Sequence, residues 1–261
     1  MNIKKIINLK SKKKINMVTC YDYTSATIVE QSNIEMVLVG DSAAMVMHGY
    51  PDTTYATMEM MVHHTSAVSR GLKSKLLIAD LPFMSYRKTI FDTMSNVQSL
   101  IQAGAHAIKL EGAKGNLDII RHIVESGVPV MGHIGLTPQH VHNLGGFKVQ
   151  GKQKESWTVL IEQAKALELA GCFSVVIECV PAELANQITL SLQIPTIGIG
   201  AGQDTDGQVL VWQDLLGMQN NFRPKFVKHF LNGHEIILMA LNQFSDEVES
   251  KIYPDKIEHI Y

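Results

Sequence analysis

The chain has 261 residues with only three cysteines, no long apolar run and a net charge of −2, and each shortage narrows what the protein can be. Cys20, Cys172 and Cys179 are odd in number and lack C-x-x-C spacing. That excludes a disulfide framework and a cysteine-rich zinc site, and it fits a reducing compartment. Cys20 and Cys179 fall at strand ends, where both read as small buried fillers. No run approaches the length of a membrane span. Six lysines crowd the first fourteen residues, but the apolar stretch that a signal peptide needs does not follow them. The near-neutral balance gives no pull toward nucleic acid or a membrane surface. The expected setting is cytoplasmic, with small molecules as partners. Neither an internal repeat nor a low-complexity linker divides the chain. It is therefore read as one domain over 1–261, with a short N-terminal segment (about 1–14) and C-terminal helices (about 224–261).

Hydrophobic residues make up 46% of the chain, ample for a sizeable core. They gather in short apolar runs that read as strands at 15–20, 36–41, 75–80, 107–111, 128–133, 174–179, 195–199 and 208–212. Amphipathic stretches at 25–31, 58–70, 89–103, 117–125, 155–169 and 182–192 read as helices. Asn33, Gly71, Gly104, Gly127 and Gly171 stand where helices should stop. Strands alternating with helices imply a parallel sheet. Eight of them favour closure into a (β/α)8 TIM barrel over an open sheet. Segment 3–14 is expected to plug the lower end of the barrel with a short helix, its lysines forming a solvated face. The eighth strand is the weakest, because no long helix follows it at once.

Four carboxylates stand where apolar runs end: Asp41, Asp80, Glu111 and Glu178. An ionised carboxylate beside an apolar core is costly unless it is paired or bound to a cation. They come from the second, third, fourth and sixth strands, which suits a barrel site at strand C-termini. Asp41 and Asp80 are hard oxygen donors suited to Mg²⁺, with Glu111 a third ligand directly or through water. The alternative is ion pairing with Lys109 or Arg70. Lys109 and Glu111 are two residues apart and face the same side. A buried lysine there demands an anion, either a substrate carboxylate or Glu111 itself. Glu178 lies between Val-Val-Ile and Cys-Val-Pro, and desolvation in such surroundings suits a carboxylate to accept a proton. His133, at the end of the fifth strand, is a polarising or substrate-binding histidine or one merely hydrogen-bonded in place. The stretch 134–152 is long enough to be a lid. The glycines of Ile197-Gly-Ile-Gly-Ala-Gly202 either cradle a phosphate or leave room for a ligand.

Several stretches in order resemble the ketopantoate hydroxymethyltransferase family, also called 3-methyl-2-oxobutanoate hydroxymethyltransferase. They are Val18-Thr-Cys-Tyr-Asp22, Leu38-Val-Gly-Asp-Ser42, Leu77-Ile-Ala-Asp-Leu-Pro-Phe-Met84, Lys109-Leu-Glu-Gly112 and Gly132-His-Ile-Gly-Leu-Thr-Pro-Gln139. Gly145-Gly-Phe-Lys-Val-Gln-Gly151, Val176-Ile-Glu-Cys-Val-Pro181 and Asp206-Gly-Gln-Val-Leu-Val211 extend the series. The resemblance implies a Mg²⁺-dependent barrel that moves a one-carbon unit from 5,10-methylenetetrahydrofolate to α-ketoisovalerate, giving ketopantoate for pantothenate biosynthesis. Carried over by position, it implies Asp41 and Asp80 as metal ligands with Glu111 in or next to the metal shell. Asp41, Ser42, Asp80, Lys109 and His133 would contact the keto acid, and Glu178 would be the proton acceptor. It also implies self-association as a homodecamer. The loop 43–57 and Gly112-Ala113, where a second glycine is usual, depart from the family pattern. The competing reading is a Mg²⁺-dependent 2-keto-acid aldolase or lyase on the same barrel.

Overall fold

In a computed structural model describing residues 1–219, 224–255 and 257–259, eight short apolar strands lie side by side in chain order and close on themselves. They are β1 (Ile15–Thr19), β2 (Met36–Val39), β3 (Leu76–Asp80), β4 (Ala107–Lys109), β5 (Val130–Gly135), β6 (Ser174–Glu178), β7 (Thr196–Ile199) and β8 (Gly207–Leu210). Every neighbouring pair is parallel, and β8 returns to pair with β1. The helices Tyr23–Glu30, Met58–Gly71, Ile90–Gln102, Leu117–Glu125, Trp157–Leu169 and Ala182–Ser191 connect them, as the sequence pattern predicts. Several begin on a side-chain cap: Asp22 accepts from the Ser25 N–H, Thr57 from Met60 and Thr89 from Asp92. The expected (β/α)8 barrel is the fold.

Side chains alternate along each strand, so every second residue points inward. In the lower half these are Met17, Met36, Leu38, Leu76, Ile78, Ala107, Met131 and Val176, all buried in one cluster. Ile6, from the short helix Ile3–Ile7, is fully buried in the same cluster, with Ile3, Ile7 and Leu9 packed against it. The plug expected from segment 3–14 is therefore present. Its lysines are not all solvated. Lys10 pairs with Asp206 at 2.7 Å, Lys13 with Glu35 at 2.6 Å, and Lys14 donates to the Gln203 carbonyl at 3.0 Å. The segment is thus fastened as well as packed.

Strand ends shift where backbone chemistry decides them. β5 starts at Val130 rather than 128 because Pro129 has no N–H to give a ladder. It runs on to Gly135, so His133 sits inside the strand and not at its end. Gly135 has φ +89°, and a Cβ there would lie 2.2 Å from the Glu178 carbonyl oxygen. Only glycine lets β5 and β6 approach so closely. The eighth strand ends at Leu210 rather than 212.

The chain divides into two compact units, Met1–Val211, which contains the whole barrel, and Trp212–Tyr261. Within the second are a four-residue helix, Trp212–Leu215, and a long one, Gly233–Glu249. Phe230 N–H donates to the Leu215 carbonyl at 2.8 Å, tying the approach to the long helix back to the short one. Among the described residues no helix is long and apolar enough to cross a membrane.

Candidate active site

The period-two alternation that fills the lower barrel with Ile78, Ala107, Met131 and Val176 places Asp80, Lys109, His133 and Glu178 two residues further along the same strands. Glu111 follows Lys109 by two more, just past β4, where the Gly112 N–H bonded to the His133 carbonyl keeps the chain beside β5. Asp41 and Ser42 lie beyond the end of β2, at the turn into the short helix Ala43–Val46. All these residues meet at the C-terminal lip. Lys109 Nζ is 2.5 Å from Asp80 Oδ1, and the Asp41 backbone N–H donates to Asp80 Oδ2 at 3.1 Å. The His133 ring stands between two carboxylates: Nδ1 is 3.3 Å from Glu111 Oε1 and Nε2 is 3.2 Å from Glu178 Oε2. Neither His133 contact is aligned as a hydrogen bond, so these are charge contacts. Ser42 Oγ shares a 2.8 Å hydrogen bond with the Tyr21 hydroxyl.

Burial dominates the electrostatics. It raises Asp41 well above the ordinary carboxylate range, and the neighbouring charges of Asp80 and Glu111 raise it further. Asp80 is raised by burial too, against the pull of Lys109. Lys109 keeps its proton: burial opposes the charge, but Asp80, Glu111 and Asp41 outweigh it and raise its pKa. For His133, burial works against the charged ring, yet Glu111 and then Glu178 bring its pKa up to about 9. Glu111, also buried, is held below its usual range by His133 and Lys109. Glu178 is the most open of the set, with 17% of its side chain exposed. Its closest charged neighbour is an imidazole, so its surroundings are less apolar than the flanking sequence suggests.

Gln139 belongs to this site although its role is not legible in the chain. Its backbone N–H donates to Glu111 Oε2 at 3.0 Å, and its side-chain NH₂ donates to Asp41 Oδ2 at 2.8 Å and the Leu81 carbonyl at 3.0 Å. Its amide oxygen accepts from the Tyr86 hydroxyl at 2.7 Å. A fully buried amide with every group satisfied fixes two carboxylates relative to each other. Tyr86 and Tyr21 are the other residues the sequence reading missed, and the only signal is that Tyr21 and Gln139 stand inside the quoted motifs.

The loop after β5 carries the one-turn helix Val141–Leu144. At its far end the Gln150 N–H donates to the Cys179 carbonyl at 2.9 Å, which anchors it beside Glu178. Within β7 a Cβ at Gly198 would meet Thr205 Oγ1 at 2.6 Å, and after the strand one at Gly202 would meet the Ala182 Cβ at 2.4 Å. Tight packing accounts for these glycines, and a phosphate cradle is not needed to explain them. All three cysteines are free thiols, and burial raises the pKa of Cys20 to about 11.

Fold and site together define a parallel-barrel enzyme with a buried, charge-dense lip. A family model described as ketopantoate hydroxymethyltransferase matches residues 1–256. The 3-methyl-2-oxobutanoate hydroxymethyltransferase of Coxiella burnetii (strain Dugway 5J108-111) is 58% identical over 253 residues, covering 97% of this chain and 95% of that one. Its counterpart in Francisella tularensis subsp. tularensis (strain SCHU S4 / Schu 4) is 54% identical over 262 residues, covering 99% of both chains. The chain belongs to the ketopantoate hydroxymethyltransferase family and is an enzyme of that kind. Among solved structures, a phosphonopyruvate hydrolase complexed with oxalate and Mg²⁺ superposes with a TM-score of 0.62 at 12% identity, covering 99% of this chain and 90% of that one. A 2,3-dimethylmalate lyase gives 0.61 at 13% identity, covering 99% and 91%. At such identities the likeness concerns the fold alone.

Proposed function

We propose that the protein transfers a hydroxymethyl group from 5,10-methylenetetrahydrofolate to α-ketoisovalerate with the help of Mg²⁺, forming ketopantoate. The observation that carries this reading is the lip itself, where one lysine and one histidine face four carboxylates. Asp41 and Asp80 are fully buried, adjacent and crowded by Glu111, an excess of negative charge that a hard cation offsets. Among the described residues no three His, Cys, Asp or Glu side chains converge as a metal cage. Two carboxylates with the remaining positions left to water and substrate oxygens suit Mg²⁺ better than an all-protein site. In this reading Asp41 and Asp80 hold the ion, with Glu111 completing the anionic wall beside them. The chemistry Mg²⁺ supplies there is Lewis-acid polarisation of the keto oxygen.

The chain's own residues do the rest. Lys109, kept charged by Asp80, and Ser42, aligned by Tyr21, bind the keto acid's carboxylate. That orientation presents its C3 hydrogen to Glu178. Glu178 takes the proton, with the His133 ring fixed beside it at 3.2 Å. The resulting C3 nucleophile forms the new C–C bond to the methylene carbon, whose two C–N bonds to the donor break to release tetrahydrofolate. Water supplies the hydroxyl of the hydroxymethyl group and returns a proton to the donor nitrogen. Gln139 keeps Asp41 and Glu111 in register during the cycle.

Self-association is also part of this reading. Within the helix Gly233–Glu249, Met239, Leu241 and Phe244 are 70%, 61% and 57% exposed, apolar surface that a second copy would cover. The test of the activity is product formation. Ketopantoate should appear only when keto acid, donor and Mg²⁺ are all present, should stop on chelation and should return when Mg²⁺ is restored. Equal turnover without donor would replace this reading with the lyase alternative.

A further inference from the structure

Beside the charged lip lies a cavity of about 530 Å³. It begins where the site ends: Gly112 follows Glu111, Gly135 packs on Glu178, and His140 follows Gln139. Its size suits a ligand much larger than a five-carbon acid. Its chemistry is the opposite of the lip's. No aspartate or glutamate lines it, while Arg87 and Lys114 do. Neither cation pairs with a carboxylate among the described residues. Arg87 is held in place, its guanidinium 5.6 Å from the Tyr86 ring centre and close to Gly112 and Gly115. Side-chain amides of Asn143, Gln150 and Gln163 and the apolar side chains of Ile134 and Leu160 complete the wall.

We propose that this cavity binds the body of the one-carbon donor, with its ring system against Ile134 and Leu160 and its carboxylate-bearing tail on Arg87 and Lys114. This assignment rests on the donor-dependent reading above. A guanidinium stacked near Tyr86 and an exposed ammonium lining the same cavity suit flexible carboxylates, Arg87 forming the directional contact and Lys114 the adaptable one. The amides offer both donors and acceptors to a heterocycle. The keto acid, held at the lip by Lys109 and Ser42, would then meet the donor across the Gly112 corner.

The experiment is a steady-state comparison of wild type with Arg87→Ala and Lys114→Ala, using two donors. One is methylenetetrahydrofolate and the other is the methylenetetrahydropteroate that lacks the glutamyl tail. Lys114 is exposed, so its truncation leaves the fold intact, and Arg87→Lys serves as the conservative control. The expected result is that each alanine raises KM for the tailed donor about tenfold. KM for α-ketoisovalerate should move less than twofold, and the tail-less donor should not discriminate between wild type and variants. Arg87→Lys should recover part of the loss. An unchanged KM for the tailed donor in both alanine variants, or equal increases for the two donors, would overturn the assignment. Wild-type turnover that needs no donor of either kind would instead remove the reading on which it rests.

Discussion

In the lower half of the barrel Ile78, Ala107 and Met131 belong to the cluster that closes around the plugging Ile6, whereas two residues further up the same strands Asp80 pairs with Lys109 and His133 faces Glu111. The backbone is continuous, and so is the alternation that sends these side chains inward. The lower half gains from every methylene taken out of water, roughly 1.5–3 kcal/mol for each large side chain fully buried. The lip gains nothing comparable: burial pushes Asp41 and Asp80 toward neutrality, and it opposes the charge of Lys109, which the surrounding carboxylates sustain. The lower half therefore supports the cost of the lip, where the proposed chemistry takes place.

That contrast separates activity from stability by position. The largest effect is expected from Asp80→Asn, which should lower turnover about 10³-fold by removing charge where the reaction needs it. Its stability should change by only about 1 kcal/mol, because Glu111 and Asp41 remain to balance Lys109 and the crowding of Asp41 is relieved. Denaturant unfolding beside a product assay would check both. The reverse pattern is expected from Ile78→Ala, which should cost about 2–5 kcal/mol of stability. At low temperature the same variant should turn over within a few-fold of wild type. An Asp80→Asn protein destabilised as much as Ile78→Ala would mean that the lip is part of the structural core.

The sequence displays much of this arrangement, and particular residues show why. Eight apolar runs were visible because parallel strands buried on both faces are hydrophobic throughout. The carboxylates stood out because each ends such a run. Gln139 could not be found this way: it is 98 residues from Asp41 and 53 from Tyr86, and polar side chains carry no periodic signal. Lys10 and Lys13 looked like a solvated face because Asp206 and Glu35, their partners, lie on distant turns. The basic cavity was equally hidden, since Arg87 and Lys114 come from loops after different strands and sit together only once the barrel closes.

The most direct test of proton removal by Glu178 at this lip is proton NMR of α-ketoisovalerate in D₂O with Mg²⁺ and tetrahydrofolate, comparing wild type with Glu178→Gln. Wild type should erase the C3 proton signal by exchange. Glu178→Gln should slow that loss at least about 100-fold while still binding the keto acid. Exchange at the wild-type rate in Glu178→Gln would contradict the account, because the proton would then leave through another group.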